Sequence, residues 1–211
     1  MPAGQNPPDG AIINYYLPGD AAGPVTLEIL DSNTVVRRYA SDDRPEPLNE
    51  QELTVPTYWV RPPRRLPSSK GLHRFVWDLR YPPPDAFQRD LPISAIYRDT
   101  PREPLGVLAL PGSYLVKLTV GGRSYTQPLT VKMDPRAAIT AAGLLRQFTL
   151  ATKIVDMMHR SYVAKLNDLN GDLATALDVV EGADRAPTTQ AAIAVANLER
   201  RLTAEISKAT R

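Results

Sequence analysis

The sequence is poor in the residue types from which many chemical sites are built. It has no cysteine and only two histidines, His73 and His159, which excludes disulfides, thiolate metal sites and a cysteine nucleophile. Neither histidine has a second histidine or a carboxylate cluster at ligand spacing, so we expect no metal and no cofactor. No apolar run approaches the roughly 20 residues of a membrane helix. This lack predicts no membrane partner. The 25 Lys and Arg nearly balance the 23 Asp and Glu, so we do not expect nucleic acid as a partner.

Proline is almost absent from the last third of the chain. Of the 21 prolines, only Pro187 follows Pro135. Proline interrupts helices and is confined to turns and edges in sheets. The distribution therefore predicts a mainly β domain at 1–135 and a helical region at 136–211.

Short β-branched and aromatic runs in the first part predict strands joined by turns. "AIINYYL" (11–17) ends at Pro-Gly, and "VTLEIL" is separated from "VVRRYA" by the four-residue loop "DSNT". "GSYLVKLTV" and "RSYTQPLTVKM" flank Gly121-Gly122, which predicts a two-residue hairpin turn. Because no crossover helices are visible between these runs, we expect an antiparallel β-sandwich of the immunoglobulin or fibronectin type III kind.

A long proline-rich loop region, residues 41–110, interrupts these strands. Its recurring aromatic and aliphatic residues predict that it packs across a sheet. Within it, "GLHRFVWDLRYPPP" (71–84) predicts a central strand. His73, Phe75 and Trp77 would share one face, and the three prolines would end the pairing.

Apolar residues recur every three or four positions from Leu144 to Val180, which predicts an amphipathic helix of about 35 residues unless Asn170-Gly171 breaks it. A second stripe from Ala191 to Ile206 follows Gly182 and Pro187-Thr188, which suit a helix end and a helix start. We therefore expect a helical hairpin. Since a hairpin buries only one seam, we expect it also to pack against a third helix, the sandwich, another chain or a second copy of this one.

Catalytic interpretations rest on scattered groups. His73 would be a structural histidine in its strand and His159 a surface or seam histidine, because no nucleophile motif accompanies either. Paired aspartates would be needed for a small glycoside hydrolase. Nearly all of the candidates lie in turns, where aspartate is common for conformational reasons: Asp31, Asp42, Asp43, Asp78, Asp85, Asp90 and Asp99.

Aromatic residues are the stronger candidates for a binding site. Tyr58, Trp59, Trp77 and Tyr81 lie in or beside the proline-rich loops, as does Tyr97. Exposed rings on a β-sandwich can stack on sugars, so we consider the first four as carbohydrate-binding residues. In the alternative interpretation, Trp77 fills the core, and Tyr58 and Trp59 anchor the loop.

Several blocks together resemble one family. They are "NPPDGAIINYYL", "VTLEILDSNTVVRRY", "PTYWVRPPRRL", "GLHRFVWDLRYPPP", "PISAIYRDTPREPLG", "ALPGSYLVKLTVGGRSYTQPLTVKMDPR" and "GADRAPTTQ". In this order they are similar to the C-terminal region of bacterial sortilin-like BNR-repeat β-propeller proteins, which are commonly labelled glycosyl hydrolases. The resemblance implies a β-sandwich followed by helices, secreted or periplasmic as part of a parent protein. The first residues do not resemble a signal peptide, so the export signal would lie outside this chain.

The family's repeated Asp-box pattern, Ser-x-Asp-x-Gly-x-Thr-Trp, does not occur in this sequence. Any glycosidase activity of the family would therefore be expected in the propeller and not here. The resemblance implies a non-catalytic accessory or interaction module whose partner is the propeller of a parent protein or another chain. The alternatives are a carbohydrate-binding module that contacts polysaccharide and, less favoured by the motifs, a small glycoside hydrolase.

Overall fold

The computed structural model describes residues 8–44, 47–48, 50–51, 53, 55–62, 64–92 and 96–209. These residues form two antiparallel sheets and three α-helices, as the predicted order of strands and then helices requires. The strands are β1 (Ala11–Leu17), β2 (Thr26–Asp31), β3 (Thr34–Ala40), β4 (Gly71–Trp77), β5 (Gly112–Val120) and β6 (Arg123–Val131). The helices are α1 (Ala141–Val163), α2 (Asn167–Glu181) and α3 (Thr189–Ala209), and a single 3₁₀ turn spans Thr57–Trp59.

The chain divides into two compact units, each assembled from three separate stretches. The β unit comprises Met1–Pro47, Pro63–Tyr81 and Pro111–Lys132. The helical unit comprises Leu48–Pro62, Pro82–Leu110 and Met133–Arg211. Much of the proline-rich region therefore clusters with the helices. In particular, the ring of Phe87 lies 4.5 Å from that of Tyr162 on α1, whereas the sequence predicts packing across a sheet.

In the β unit, β1 pairs with β4, and the other four strands form a sheet in the order β3-β2-β5-β6. The inner faces of the two sheets meet through aromatic rings. Phe75 of β4 lies edge-on to Tyr39 of β3 at 4.6 Å between centroids, and Trp77 of β4 lies 5.5 Å from Tyr114 of β5. Apolar side chains of the two sheets thus form one core.

The strand predicted at residues 71–77 is β4, with Phe75 and Trp77 buried on one face and His73 half-buried beside them. Its expected central position is wrong, because within the described residues β4 pairs only with β1. Burial on one face needs only a second sheet opposite that face. The alternation of residues therefore does not say how many neighbours a strand has.

The two predicted β-hairpins differ in how well the loop was anticipated. Gly121 and Gly122 adopt φ of 55° and 77°, as the two-residue turn requires. In the β2–β3 hairpin, Asp31 pairs with Thr34, so the loop has two residues instead of the four expected. Ser32 takes a φ of 54° there. Serine can adopt this left-handed conformation, but a serine in the sequence does not predict it.

The predicted long helix is divided into α1 and α2 at residues 164–166, so the described residues hold three helices and not a simple hairpin. Lys165 has a φ of 58°, and the amide of Leu166 bonds back to the carbonyl of Ser161 at 2.9 Å. The apolar spacing continues across this left-handed turn, which hides it from the sequence pattern. Asn170-Gly171, where the sequence left open a break, lies inside α2 and does not interrupt it.

The predicted start of α3 is confirmed, since the hydroxyl of Thr188 accepts a hydrogen bond from the amide of Ala191 at 3.1 Å. Buried side chains of α1 and α2 form the core of the helical unit, and α3 adds Val195 and Leu202. None of the helices among the described residues combines the length and apolar character needed to cross a membrane.

Candidate functional site

Trp77, one of the four predicted carbohydrate-binding residues, is a core residue. Its relative exposure is 0%, its ring contacts Tyr114, and its indole N–H donates to the carbonyl of Arg80 at 3.1 Å. A ring enclosed in this way has no free face on which a sugar could stack. This position fits the alternative interpretation of the sequence, in which Trp77 fills the core.

Tyr81 lies in the β unit and is half-buried. Burial raises the pKa of its phenol, and the negative charge of Asp31 adds to the effect. The same surroundings act on Tyr114, whose pKa is raised to about 12, first by burial and then by Tyr81 and Asp31. Tyr81 therefore lies near the buried phenol of Tyr114 and the carboxylate of Asp31.

The remaining two predicted residues, Tyr58 and Trp59, lie in the helical unit together with Tyr97, and we call these three the ring cluster. Their centroids are 5.8 to 6.4 Å apart, and the planes of Trp59 and Tyr97 are nearly perpendicular at 89°. Tyr58 and Tyr97 are each 57% exposed. The predicted set is thus divided between the units, and the ring cluster gains a member, Tyr97, that sequence spacing did not place beside Trp59.

The segments that carry the ring cluster are joined by backbone hydrogen bonds. Val60 and Thr100 form a parallel bridge, in which Arg61 N donates to Thr100 O at 2.8 Å and Thr100 N donates to Trp59 O at 3.2 Å. The fully buried hydroxyl of Thr100 bonds both the amide and the carbonyl of Ile96, at 2.8 and 2.7 Å. These bonds determine where the turn that carries Tyr97 lies relative to Trp59.

His73 makes the contacts of a structural histidine. Its Nε2 lies 2.7 Å from the carbonyl oxygen of Ser69, and its ring is 5.2 Å from that of Tyr15. Both partners are parts of the scaffold of the β unit. The hydroxyl of Tyr15 in turn donates to Pro67 O at 2.7 Å, so the pair fastens the segment before β4.

His159 pairs with a residue distant in the sequence. Its Nδ1 lies 2.6 Å from Oδ2 of Asp85, and both side chains are about half exposed or more. The neighbouring Asn170 is buried, and its amide nitrogen donates to Asp85 O, Met158 O and Ser161 Oγ at 3.0 to 3.1 Å. Phe87 N donates to its side-chain oxygen at 3.3 Å. These contacts attach residues 85–87 to the helices, and nothing in the local sequence signals them.

Several of the aspartates considered for catalysis hold turns and ion pairs. Asp78 accepts from the hydroxyl of Tyr39 at 3.5 Å and lies 3.3 Å from Arg64 Nη1. Asp43 accepts from the amide of Ala40 at 2.6 Å. These contacts agree with the conformational role expected of turn aspartates.

The carboxyl group of Glu103, in the helical unit, has a raised pKa. The pKa of Glu103 is raised, mainly by burial and further by the charges of Asp178 and Asp90. Backbone hydrogen bonds of 2.8 and 3.1 Å join Glu103 to Asp90. Among the described residues, no group of three or more acidic or histidine side chains is arranged to hold a metal ion.

Comparison with known proteins adds no relative to this description. The chain matches no protein-family model, no curated protein and no solved structure. Its function must therefore be argued from the surfaces described above and from the resemblance noted in the sequence.

Proposed function

We propose that this chain is a non-catalytic interaction module that packs against the BNR-repeat β-propeller of a secreted or periplasmic parent protein. The resemblance of its sequence blocks to the C-terminal region of such proteins suggests this partner. The observation that carries the proposal is an exposed apolar face on the β1–β4 sheet. In the same proposal, the two sheets of the β unit belong to a sandwich of the immunoglobulin or fibronectin type III kind.

The exposed face consists of side chains that point away from the core. Tyr16 is 61% exposed and Leu72 75% exposed, and the two are directly opposite in the β1–β4 register. Ile12 lies on the same face opposite Val76, and Arg74 bonds Asn14 between these two pairs at 3.4 Å. Large apolar side chains clustered on a sheet surface are typical of protein interaction sites.

This face has the composition of an interface. A tyrosine and two aliphatic side chains supply apolar area, and the arginine supplies directional hydrogen bonds. Phe75 and Trp77 are buried on the inner face of the same sheet. Their packing fixes the backbone that carries the outer side chains. Such a surface needs little rearrangement to bind a partner.

The test begins with the coding sequence that adjoins this chain, which should encode Asp-box propeller blades. The propeller would then be produced separately and titrated calorimetrically with this chain. We expect saturable binding that falls about tenfold or more for the double variant Tyr16→Ser and Leu72→Ser, because both side chains lose buried apolar area. Tyr125→Ser is the matched control, since Tyr125 is also exposed, at 57%, but lies on β6.

The absence of a neighbouring propeller would overturn the assignment of the partner. Equal binding by the double variant and the wild type would overturn the assignment of the face. Circular dichroism of the variants distinguishes a lost contact from a lost fold. All three substituted side chains are more than half exposed, so we expect the fold to persist.

A further inference from the structure

The ring cluster lies in the helical unit. A function for it would be independent of the partner surface proposed on the β1–β4 sheet. Three aromatic rings from two separate segments converge there, two of them more than half exposed. Burial of aromatic rings stabilises a fold, so rings that are held together while exposed give up part of that stabilisation. A ligand that covers them would recover it.

The cluster is preorganised. The bridge between Val60 and Thr100 and the two hydrogen bonds of the Thr100 hydroxyl hold both segments by their backbones. The backbone positions that carry the rings therefore do not depend on contacts between the rings. A ligand would therefore bind a surface whose backbone is already ordered, and binding would lose less conformational entropy.

Charged residues follow the rings closely in both segments. Arg61 Nε donates to Asp99 Oδ1 at 2.6 Å, and the side chain of Asp99 is 55% exposed. The guanidinium of Arg98 lies over the ring of Tyr97, 5.6 Å from its centroid. The rim thus combines a carboxylate acceptor with two guanidinium donors beside an aromatic surface.

Few ligand classes match both features. A sugar ring presents apolar C–H groups on its faces and hydroxyl donors and acceptors around its edge. Stacking on aromatic rings and hydrogen bonding to charged side chains satisfy both parts at once. A purely apolar ligand would leave the charged rim unused.

We propose that the ring cluster is a carbohydrate-binding site for a pyranose unit of an oligosaccharide. Tyr58 and Tyr97 contact the C–H faces of the sugar, and Trp59 supports both tyrosines from the side. Asp99 accepts hydrogen bonds from sugar hydroxyls, and Arg61 orients its carboxylate. The site differs from the one predicted from sequence, because Tyr97 and Asp99 take the places of Trp77 and Tyr81.

The test is a fluorescence titration of the whole chain with cellohexaose, chitohexaose, xylohexaose and polygalacturonate. Trp77 is fully buried, so a change in emission on binding should come from Trp59. We expect saturable binding of at least one of these sugars with a Kd of about 0.01–1 mM. The fourth sugar is acidic, and preference for it would assign the arginines a direct part in binding.

Variants locate the site. Tyr58→Ala with Tyr97→Ala should weaken binding at least tenfold, and Asp99→Asn should weaken it less while leaving the rings in place. Tyr125→Ala is the matched control, because Tyr125 has the same exposure of 57% but lies on β6; it should bind as the wild type does. Circular dichroism should be unchanged in all of them.

Flat titrations with all four sugars would overturn the proposal. Unchanged affinity of the folded double tyrosine variant would also overturn it. A proline-rich peptide serves as the competing ligand, since aromatic clusters also bind polyproline helices. Saturable binding of that peptide with no response to the sugars would reassign the cluster to protein recognition.

Discussion

The β unit and the helical unit attach their irregular segments by different chemistry. In the β unit, the carboxylate of Asp78 at the end of β4 pairs with Arg64 and accepts from Tyr39. In the helical unit, neutral amides attach such segments alongside the pair of His159 with Asp85. Asn170 binds the segment at residues 85–87, and Gln147 donates to Val180 O and Ala183 O at 2.6 and 2.9 Å.

The difference follows from where each segment meets its support. Near Asp78, a pair of opposite charges remains about a quarter exposed and needs only partial desolvation. The position of Asn170 is 2% exposed, where an amide can both donate and accept without the cost of a buried charge. The β unit also holds two phenols whose pKa is raised to about 12, those of Tyr15 and Tyr39. We therefore expect the β unit to respond more to alkaline pH, and the helical unit to respond more to the loss of single hydrogen-bonding groups.

The largest expected effect tests the backbone of the β unit. Gly10 has a φ of 134°, and a Cβ at this position would lie 2.1 Å from the carbonyl oxygen of Trp77. Gly10→Ala should lower the free energy of unfolding by about 3–5 kcal/mol, because strain and a backbone clash add. Urea denaturation followed by Trp77 emission, in a Trp59→Phe background, would measure it. Gly23→Ala is the control, since a Cβ added there would meet no atom within 4 Å apart from its chain neighbours.

The next effect concerns the helical unit. Asn170→Ala removes a buried amide with four hydrogen-bond partners. We expect a loss of about 1–3 kcal/mol, because Phe87 N and Ser161 Oγ lose a partner. Thermal melting followed by helical circular dichroism would show it. Asn197→Ala, on the exposed surface of α3, should leave the melting temperature almost unchanged; equal losses would contradict the assigned role of Asn170.

A third prediction uses the phenols of the β unit. Burial raises the pKa of Tyr15 and of Tyr39 from 10.0 to about 12, with the charge of Asp78 as a second cause for Tyr39. The folded state therefore holds these protons more tightly than the unfolded state between pH 10 and pH 12. The stability they contribute is fully present below pH 10 and is lost as the pH rises through about 12.

Urea midpoints of the Trp59→Phe variant, measured across this alkaline range, test the third prediction. Tyr39→Phe should flatten the pH dependence, because it removes one of the titrating groups. Tyr125→Phe removes an exposed phenol and serves as the control. A pH profile of Tyr39→Phe identical to that of the wild type would contradict the assignment.

The smallest expected effect returns to the helical unit. The pKa of Glu103 is raised by burial and by two neighbouring aspartates, so its ionised form costs stability once the pH exceeds its unfolded value of about 4.5. Glu103→Gln should raise the melting temperature by about 1–2 °C at neutral pH. Below about pH 4 it should leave the melting temperature unchanged, because Glu103 is then protonated in both states. Differential scanning calorimetry at both pH values measures this, with the exposed Glu50→Gln as control.

Local chemistry was enough to predict some elements. β1 spans the predicted residues 11–17, and the Gly121-Gly122 turn forms as expected, since both depend on side chains adjacent in the chain. The faces of β4 also followed from alternation alone. The left-handed turn at Lys165 was missed because the apolar period continues through it, so the described residues hold three helices where two were predicted.

The site shows the same limit. The sequence indicated that Tyr58 and Trp59 lie in a proline-rich loop, but it could not distinguish them from Trp77, since all are aromatic residues near prolines. Only packing separates a fully buried ring from a half-exposed one. The pairing of Trp59 with Tyr97 depends on hydrogen bonds of Thr100 to residues on both segments.

The sequence by itself determined the order of the elements, because strand alternation, helical period and glycine turns act over a few residues. It also determined which histidine would lie in a strand and which in a helix. The tertiary structure alone decided which aromatic rings remain exposed, which aspartates are held in ion pairs, and which segments of the proline-rich region join the helices. These outcomes depend on contacts between residues far apart in the chain, for which local sequence carries no signal.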